Sequence, residues 1–411
     1  MWSKNIISLL AIAGLAVEVF SAPVKEVLNA GAPGTIPNAY IVVFKKDVSQ
    51  ADIDAHTNVV SQSVAKSDLV DTMGKGKIGK GLKKIFKIAG GLKGYSGGFD
   101  KLTLQTILNS PLVDYVEQDA VVKINARQNG AGWGLARVSH SNFVSPYSYD
   151  YNIVVNSLNV TVFVIDTGIR ITHSEFQNAD GTRRATWGTN TIDSDNTDGN
   201  GHGTHCAGTA VGKTYGVARK ANVVAVKVLD ANGDGTWSSV LAGMNWVAAN
   251  AKPNYSVVSL SLGGGKSTSI NNAIDTLWNA GIISAVAAGN EGEDASNSSP
   301  ASAPKALTVG AIDQNGFITS WSDYGTVLDL FAPGDGIVSA WKDSDTSTAT
   351  LSGTSMSTPH VAGLAAYFIC RSTGGSTPDQ TTTTILNTGV KNQVKGDLKG
   401  SPNVIAYNGF A

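Results

Sequence analysis

Four apolar segments of strand length constrain what this chain can fold into more than any other feature. They are 162–165, 223–229, 257–262 and 282–288. The first has no alternation of apolar and polar residues, which is typical of a strand buried on both faces. Two stretches of helical periodicity, Ser238–Ala251 and Ile270–Ala280, lie among them. This succession predicts an α/β fold, in which helices cover both faces of a mostly parallel, twisted sheet.

Residues capable of chemistry follow two of these segments. Asp166 comes directly after 162–165, and Asn290 follows 282–288 after a single glycine. Open α/β sheets place their chemistry at the carboxyl ends of the strands. A side-chain amide at such an end can donate a hydrogen bond to a developing oxyanion.

A histidine and a serine lie in two further glycine-flanked turns. His202 stands between two glycines before a helix of small residues, and Ser355 stands at the start of an apolar helix. A serine hydroxyl becomes an effective nucleophile only with a base, an orienting acid and an oxyanion site. Taken singly, Asp166 fits a turn or cap and Ser355 fits an N-cap. Together with Asn290, and in the chain order Asp, His, Ser, they indicate a serine peptidase.

The motifs around these residues resemble those of the subtilisin-like serine peptidases, and within them the proteinase K branch. The similarity extends over nearly the whole chain. Within this branch, the chain resembles the secreted cuticle-degrading proteases of nematode-trapping fungi. It implies that Ser355 is the nucleophile, His202 the general base and acid, and Asp166 the group that orients His202. Asn290 would stabilise the tetrahedral intermediate. The resemblance further implies a secreted, monomeric endopeptidase that needs no catalytic cofactor.

The N-terminal part of the chain is expected to consist of two segments that precede the enzyme. Residues 1–21 have the pattern of a secretory signal peptide, because a lysine precedes a short apolar stretch and Ser21 precedes the expected cut. Residues 22–125 resemble the inhibitory and chaperone propeptide of the family, a small α+β, ferredoxin-like domain. The peptidase domain is then 126–411, with autocatalytic maturation near Asn125–Ala126.

Local patterns within and after this propeptide give more detailed expectations. They predict a strand at 39–46, a helix near 50–67, a strand at 101–104, a short helix at 105–109 and a strand at 113–119. The insert Gly74–Gly94 carries seven lysines and is expected to be a solvated loop. Residues 127–132 are expected to be a polar linker.

Small residues are expected to form the substrate cleft. Bare backbone at a strand end lets an extended peptide pair as an added strand. By resemblance, one rim is Ser261, Leu262 and Gly263, the opposite rim contains Gly233 and Gly235, and the pocket for the residue before the scissile bond (P1) is walled by Ala287, Ala288 and Gly289. These small apolar walls predict a roomy pocket that prefers apolar or aromatic P1 residues. The resemblance implies a broad endopeptidase that degrades structural proteins such as cuticle. Glu291 adds polarity at the pocket rim.

The resemblance also implies sites for calcium and glycans. The main calcium site of the family corresponds to the carbonyl oxygens of Pro304 and Ala306 and the carboxylate of Asp329. The cluster of Asp193, Asp195 and Asp198 is a second candidate, although a solvated loop explains it as well. Asn159 and Asn254 begin glycosylation sequons.

The two cysteines and the remaining histidines of the catalytic region are expected to be structural. If the chain from Ser355 to Cys370 is one helix, a rise of about 1.5 Å per residue separates them by about 22 Å. A disulfide requires Cα atoms within about 7 Å. Cys206, which follows the His202 motif, and Cys370 are therefore predicted to be free buried thiols, with a disulfide as the alternative. His173, His205 and His360 are predicted to be packed, hydrogen-bonded residues.

Other functional classes are less compatible with the sequence. A net charge of −1 gives no indication of a nucleic acid or membrane partner. An esterase or lipase with the same serine chemistry would need a G-x-S-x-G elbow and the order Ser, Asp, His, and the Ser355 motif has neither. A non-catalytic module would show a broken triad, whereas all four catalytic positions are intact.

Overall fold

The computed structural model describes residues 25–31, 35–66, 80–88, 92–120, 125–152, 160–372 and 374–410. The chain divides into two compact units, of which one ends at Val122 and the other begins at Lys123. The predicted signal peptide, 1–21, lies outside the described residues. Within the described ranges, every helix is too short or too polar to cross a membrane.

The N-terminal unit has the ferredoxin-like order of elements that was predicted. Its elements are β1 (Val27–Leu28), β2 (Thr35–Phe44), α1 (Gln50–Ala65), β3 (Gly81–Ile88), β4 (Leu92–Gly98), α2 (Lys101–Leu108) and β5 (Val113–Ala120). The strands form one sheet in the order β1-β5-β2-β4-β3. From β2 onwards the succession is β-α-β-β-α-β, which is the ferredoxin-like motif.

Two local predictions in this unit are wrong. Residues 101–104 are not a strand but the first turn of α2, because the Asp100 side chain accepts a hydrogen bond from the amide of Thr103 (2.8 Å) and caps the helix. The described part of the lysine-rich insert is not a loop either. Residues 81–88 form the edge strand β3, which pairs with β4. Lysines are common on edge strands because they discourage pairing with other chains.

The C-terminal unit is built on a nine-stranded sheet. Its helices are α3 (Trp133–Ser139), α4 (His202–Val211), α5 (Trp237–Asn250), α6 (Thr268–Asn279), α7 (Thr354–Arg371) and α8 (Pro378–Thr388). Its strands are β6 (Asn125–Asn129), β7 (Ser148–Asn152), β8 (Thr161–Asp166), β9 (Ala185–Asn190), β10 (Asn222–Lys227), β11 (Ser256–Leu260), β12 (Gly264–Gly265), β13 (Ile282–Ala287), β14 (Ser298–Ser299), β15 (Leu307–Ile312), β16 (Leu330–Pro333), β17 (Ile337–Ala340), β18 (Thr348–Leu351), β19 (Val390–Lys391) and β20 (Val404–Ile405).

The large sheet is mostly parallel, as predicted. Its strand order is β19-β20-β16-β15-β13-β11-β8-β10-β9, and of its pairs only β19 with β20 is antiparallel within the described residues. Successive residues of β8 enter two different cores. Val162 and Val164 pack with α4 and α7, whereas Phe163 and Ile165 pack with α5 and α6. Helices therefore cover both faces, which explains why this strand lacks alternation.

The polar segment that was expected to be a linker is partly a strand. β6 pairs with β7 in an antiparallel ladder. Arg127 forms two hydrogen bonds of 2.6 and 2.7 Å to the buried carboxylate of Asp150. This bidentate pairing gives a polar sequence a reason to be ordered.

Candidate active site

The order of the central strands brings three predicted site segments to one edge of the sheet. β13, β11 and β8 are direct neighbours and run parallel. Asp166 is the last residue of β8, Ser261 follows β11, and Asn290 follows β13. Side chains at the carboxyl ends of adjacent parallel strands lie close together.

Asp166 and His202 form a hydrogen-bonded pair, in which the His202 side chain is partly exposed. The carboxylate of Asp166 is fully buried, and its two oxygens lie 2.8 and 2.9 Å from Nδ1 of His202. The pair fixes the imidazole in the tautomer that carries a proton on Nδ1 and leaves Nε2 as an acceptor. This is the arrangement that a general base requires.

The turn that carries His202 is held by a residue that sequence reasoning left as solvated. Asp198 is only 6% exposed. Its Oδ1 accepts hydrogen bonds from Thr167 Oγ1 (2.8 Å) and the amide of Gly201 (2.7 Å). Its Oδ2 accepts from the amide and hydroxyl of Thr204 (2.9 and 2.6 Å). Asp198 is therefore an internal brace at the start of α4 rather than a calcium ligand or solvent-facing acid.

Gly201 is needed at this turn for two reasons. Its φ is +105°, which side chains rarely adopt, and a Cβ there would lie 2.7 Å from the ring of Trp341. The glycine thus lets α4 begin at His202 against an aromatic wall.

The environment of His202 sets its proton affinity. Burial disfavours the imidazolium, but the adjacent Asp166 carboxylate outweighs it and holds the pKa of His202 well above its ordinary value of 6.5. Burial raises the pKa of the Cys206 thiol, which lies against the same ring. The thiol is therefore neutral near neutral pH, and Asp166 is the charge that favours a proton on His202.

Ser355 lies across the site from this pair. Its Oγ donates a hydrogen bond to the carbonyl of Ser261 (3.1 Å), and the Ser261 hydroxyl donates to the carbonyl of Ser355 (2.9 Å). Cys206 contacts both His202 and Ser355, since its Sγ is 3.9 Å from His202 Nδ1 and 3.4 Å from the Ser355 carbonyl oxygen. The serine hydroxyl is thus bonded to Ser261 in this structure rather than to the imidazole. Catalytic hydrogen bonds commonly form only when substrate binds.

Asn290 is oriented by a residue that sequence reasoning missed. Its Oδ1 accepts a hydrogen bond from the amide of Thr354 (2.8 Å), and the Thr354 hydroxyl lies 3.0 Å from the same oxygen. Within the described part of the chain, Nδ2 of Asn290 forms no hydrogen bond. Thr354 immediately precedes Ser355, so the contact that fixes the amide also couples it to the serine's helix.

The predicted substrate residues line two adjoining cavities. One, of about 730 Å³, is lined by His202 and by both rims, namely Gly233, Gly235, Ser261, Leu262 and Gly263. The second, of about 400 Å³, is lined by Leu262, Gly263, Ala287, Ala288 and Gly289 together with Asn290 and Ser355. The cavities share the segment 262–264, so all eight predicted substrate residues lie around one cleft.

The second cavity is more acidic than its predicted apolar walls suggest. Its lining also includes Glu291, Glu293, Asp294 and Asp323. Of these only Glu291 was recognised from the sequence. Asp323 comes from a turn about thirty residues further along the chain, which no local pattern reveals.

The predicted calcium ligands lie in a setting that fits a cation. Asp329 Oδ2 accepts a hydrogen bond from the amide of Thr308 (2.8 Å), two residues after Ala306. Burial raises the pKa of Asp329 to about 6 even though this amide favours the ionised form, so a bound cation would stabilise the carboxylate further. Lys305 does not compete for the site, because its ammonium lies 4.9 Å from the Trp278 ring centroid.

The other residues singled out in the sequence have structural roles or fall outside the description. His205 and His173 bond through Nε2 to backbone carbonyls, and His360 does so through Nδ1. Cys206 and Cys370 are both buried and form no disulfide bond, which confirms the prediction of two buried thiols. Asn254 is half-buried, and Asn159 lies outside the described residues.

An imidazole fixed by a buried carboxylate, on the same cleft as a serine hydroxyl, supports the chemistry of a serine hydrolase. Comparison with known proteins identifies the family within this class. Residues 157–401 match the family model described as "Subtilase family", and residues 39–125 match "Peptidase inhibitor I9". The chain belongs to the subtilase family: it is a subtilisin-like serine endopeptidase with a peptidase-inhibitor propeptide.

Individual relatives agree with this assignment. The chain is 56% identical over 411 residues to a cuticle-degrading serine protease of Arthrobotrys oligospora, with 100% of both chains covered. It is 46% identical over 412 residues to subtilisin-like protease 2 of Pseudogymnoascus destructans, with 98% of each covered. A crystal structure of a cold-adapted subtilisin-like serine proteinase superposes with a TM-score of 0.62 at 42% identity, covering 68% of this chain and 98% of that one. The predicted family, fold class and enzyme class are confirmed.

Proposed function

We propose that this chain is the zymogen of a secreted endopeptidase that removes its own propeptide and then cleaves proteins with broad specificity. The observation that carries the proposal is the Asp166–His202 pair, bonded at 2.8 Å, on the same cleft as Ser355 and Asn290. The match of residues 39–125 to a peptidase inhibitor supports an intramolecular inhibitor. The domain limits 22–125 and 126–411 follow from this scheme.

The geometry supports the following catalytic roles for these residues. His202 Nε2 takes the proton of the Ser355 hydroxyl as Ser355 attacks the scissile carbonyl, and Asp166 stabilises the imidazolium that forms. The Nδ2 of Asn290 and the backbone amide of Ser355 stabilise the oxyanion. His202 then protonates the leaving amine, and water hydrolyses the acyl-enzyme by the same steps. Thr354 keeps the Asn290 amide aimed at the oxyanion, because it holds Oδ1.

The cleft determines the proposed substrates. An extended peptide would pair with the backbone of 261–263 on one side and approach 233–235 on the other. Ala287, Ala288 and Gly289 leave room for apolar or aromatic P1 side chains. Structural proteins such as cuticle are the proposed targets, since a relative named for cuticle degradation is 56% identical over its whole length.

The remaining properties of the mature enzyme follow from the same scheme. We expect a secreted monomer, glycosylated at Asn159 and Asn254, with no nucleic acid or membrane partner. Ca²⁺ would bind the carboxylate of Asp329 and the carbonyls of Pro304 and Ala306, where it would compensate a buried negative charge. Its role there is structural, and no catalytic step depends on it.

Expression of the zymogen as wild type and as Ser355→Ala tests the proposal. Wild type should lose residues up to about Asn125 and digest casein, whereas secreted Ser355→Ala should retain the propeptide 22–125. Ser269→Ala, the same change at an exposed position of α6, is the matched control and should mature normally. Equal processing of wild type and Ser355→Ala, read by intact-mass spectrometry, would contradict self-maturation.

A further inference from the structure

Arg137 is a buried cation without a carboxylate partner. It lies on α3 and is only 2% exposed. Within the described residues it forms no salt bridge, since its Nη1 donates to the carbonyl of His140 (2.6 Å) and its Nη2 to Oε1 of Gln393 (3.2 Å). Its Nε is also buried and has no hydrogen-bond partner in that part of the chain. Buried charges in proteins are normally paired with an opposite charge.

A second buried arginine shows what Arg137 lacks. Burial lowers the pKa of both Arg137 and Arg184 to about 10. The Glu175 carboxylate favours the charged form of Arg184, whose guanidinium also donates to three carbonyl oxygens. Among the described residues no carboxylate favours the charge of Arg137. Its titratable partner is Tyr407, and because burial raises the pKa of this phenol, it is neutral near neutral pH.

A small cavity adjoins Arg137. It has a volume of about 60 Å³, and the residues that line it besides Arg137 are neutral: Trp133, Ala136, Phe143, Val144, Tyr147 and Gln314. One water molecule needs about 10–15 Å³ of such a volume, so the cavity has room for an ion of the size of chloride. The Tyr147 hydroxyl and the Gln314 amide can donate hydrogen bonds to such an ion.

The Phe143 ring, one wall of this cavity, contacts a second cation. The Arg137 guanidinium carbon lies 4.8 Å from the ring centroid, and Nζ of Lys395 lies 5.6 Å from it. Lys395 forms no salt bridge with any described residue. An aromatic ring has no net charge, so these contacts leave both positive charges in place. The local potential is therefore positive and attracts anions.

We propose that this cavity binds a small monovalent anion, such as chloride, as the counterion of Arg137. The ion would stabilise the end of α3, from which Arg137 reaches His140 and Gln393. This helix packs against the one that begins beside Ser355, because a Cβ on Gly134 would lie 2.7 Å from Nε2 of His360. The anion is a structural ligand of the peptidase domain and takes no part in the catalytic steps.

Gln314→Glu tests the proposal because it builds the missing negative charge into the cavity wall. The Ser355→Ala zymogen, with and without Gln314→Glu, is unfolded by heat while chloride replaces gluconate at constant ionic strength. Gluconate is too large for a cavity of about 60 Å³. Tryptophan fluorescence follows the C-terminal unit, since every tryptophan except Trp2 lies between positions 133 and 341.

The two chains should respond differently to chloride. In the parent Ser355→Ala chain, Tm should rise and then level off, by about 3–6 °C at about ten times the dissociation constant. Gln314→Glu should have the higher Tm in gluconate, and chloride should add no such rise. Asn272→Asp, the same change from amide to carboxylate at an exposed position of α6 outside the cavity, should keep the full response.

The difference between the chains is the measured quantity, because the general effect of salts on stability is common to all of them. An equal chloride response in the parent chain and in Gln314→Glu would refute the proposal. It would mean that the Phe143 ring and the two oxygen acceptors are sufficient for Arg137. If Gln314→Glu does not fold, crystals of the parent chain soaked in bromide decide the question. An anomalous peak in the cavity supports the proposal, and its absence there refutes it.

Discussion

The brace formed by Asp198 leads to a specific prediction about stability. Its two oxygens serve opposite sides of the His202 turn: Oδ1 accepts the Gly201 amide and Oδ2 accepts the Thr204 amide. Asparagine has only one acceptor oxygen, so Asp198→Asn leaves at least one of these buried N–H groups facing an NH₂ group. An unsatisfied buried donor and the loss of a charged acceptor together cost about 2–4 kcal/mol. For a domain of this size, that lowers Tm by about 4–16 °C.

The measurement is best made on chains that cannot digest themselves. Thermal unfolding of the Ser355→Ala zymogen, followed by tryptophan fluorescence, would be compared with and without Asp198→Asn. Asp195→Asn is the matched control, because Asp195 lies in the same loop but is exposed. It should shift Tm by no more than about 2 °C, as surface substitutions do. Equal shifts for the two variants would refute the view that Asp198 is an internal brace.

Three further predictions concern catalysis and calcium. Asn290→Ala should lower kcat by about 10²–10³-fold with little change in KM. This magnitude is the one found when the oxyanion asparagine of subtilisin itself is removed. A fall of less than 10-fold would place the oxyanion donor elsewhere. The general base His202 must be neutral, and Asp166 raises its pKa above 6.5. The kcat/KM of the mature enzyme should therefore decline as the pH falls through a value above 6.5. A pH profile whose acid limb is centred below 6.5 would contradict this. In a melting experiment, free Ca²⁺ at 100 times its dissociation constant should stabilise wild type by about 2–3 kcal/mol relative to the protein in EDTA. Asp329→Asn should lose this gain in stability. If Asp329→Asn keeps the full gain, the ion binds elsewhere.

The central sheet was predictable because its strands have few alternatives. A segment such as 162–165, apolar on every residue, is stable only where both faces are covered, and this requirement fixes the fold class. Once the strands are parallel, the polar residues that follow them must gather at one edge. Asp166 and Asn290 could therefore be placed without coordinates, and the motifs of His202 and Ser355 identified the chemistry.

Local structure was less predictable where a single contact decides it. Residues 101–104 were predicted to be a strand, but the capping bond from the Thr103 amide to the Asp100 side chain starts a helix there. The lysines of 81–88 suggested a solvated loop, although the same residues suit an edge strand. Composition alone does not separate these outcomes, since both expose the lysines to water.

The buried carboxylates show most clearly where sequence reasoning ends. Asp198 and Asp323 both lie in polar, turn-rich segments, where an acid normally faces solvent. Each is buried instead, because backbone amides converge on its oxygens: those of residues 201 and 204, in the turn that follows, on Asp198, and those of 291 and 293, about thirty residues earlier in the chain, on Asp323. Such amides leave no trace in residue identity, as every residue except proline has one. Acids that brace the catalytic turn or line the cavity beside Asn290 can therefore be recognised only after the fold has placed the backbone around them.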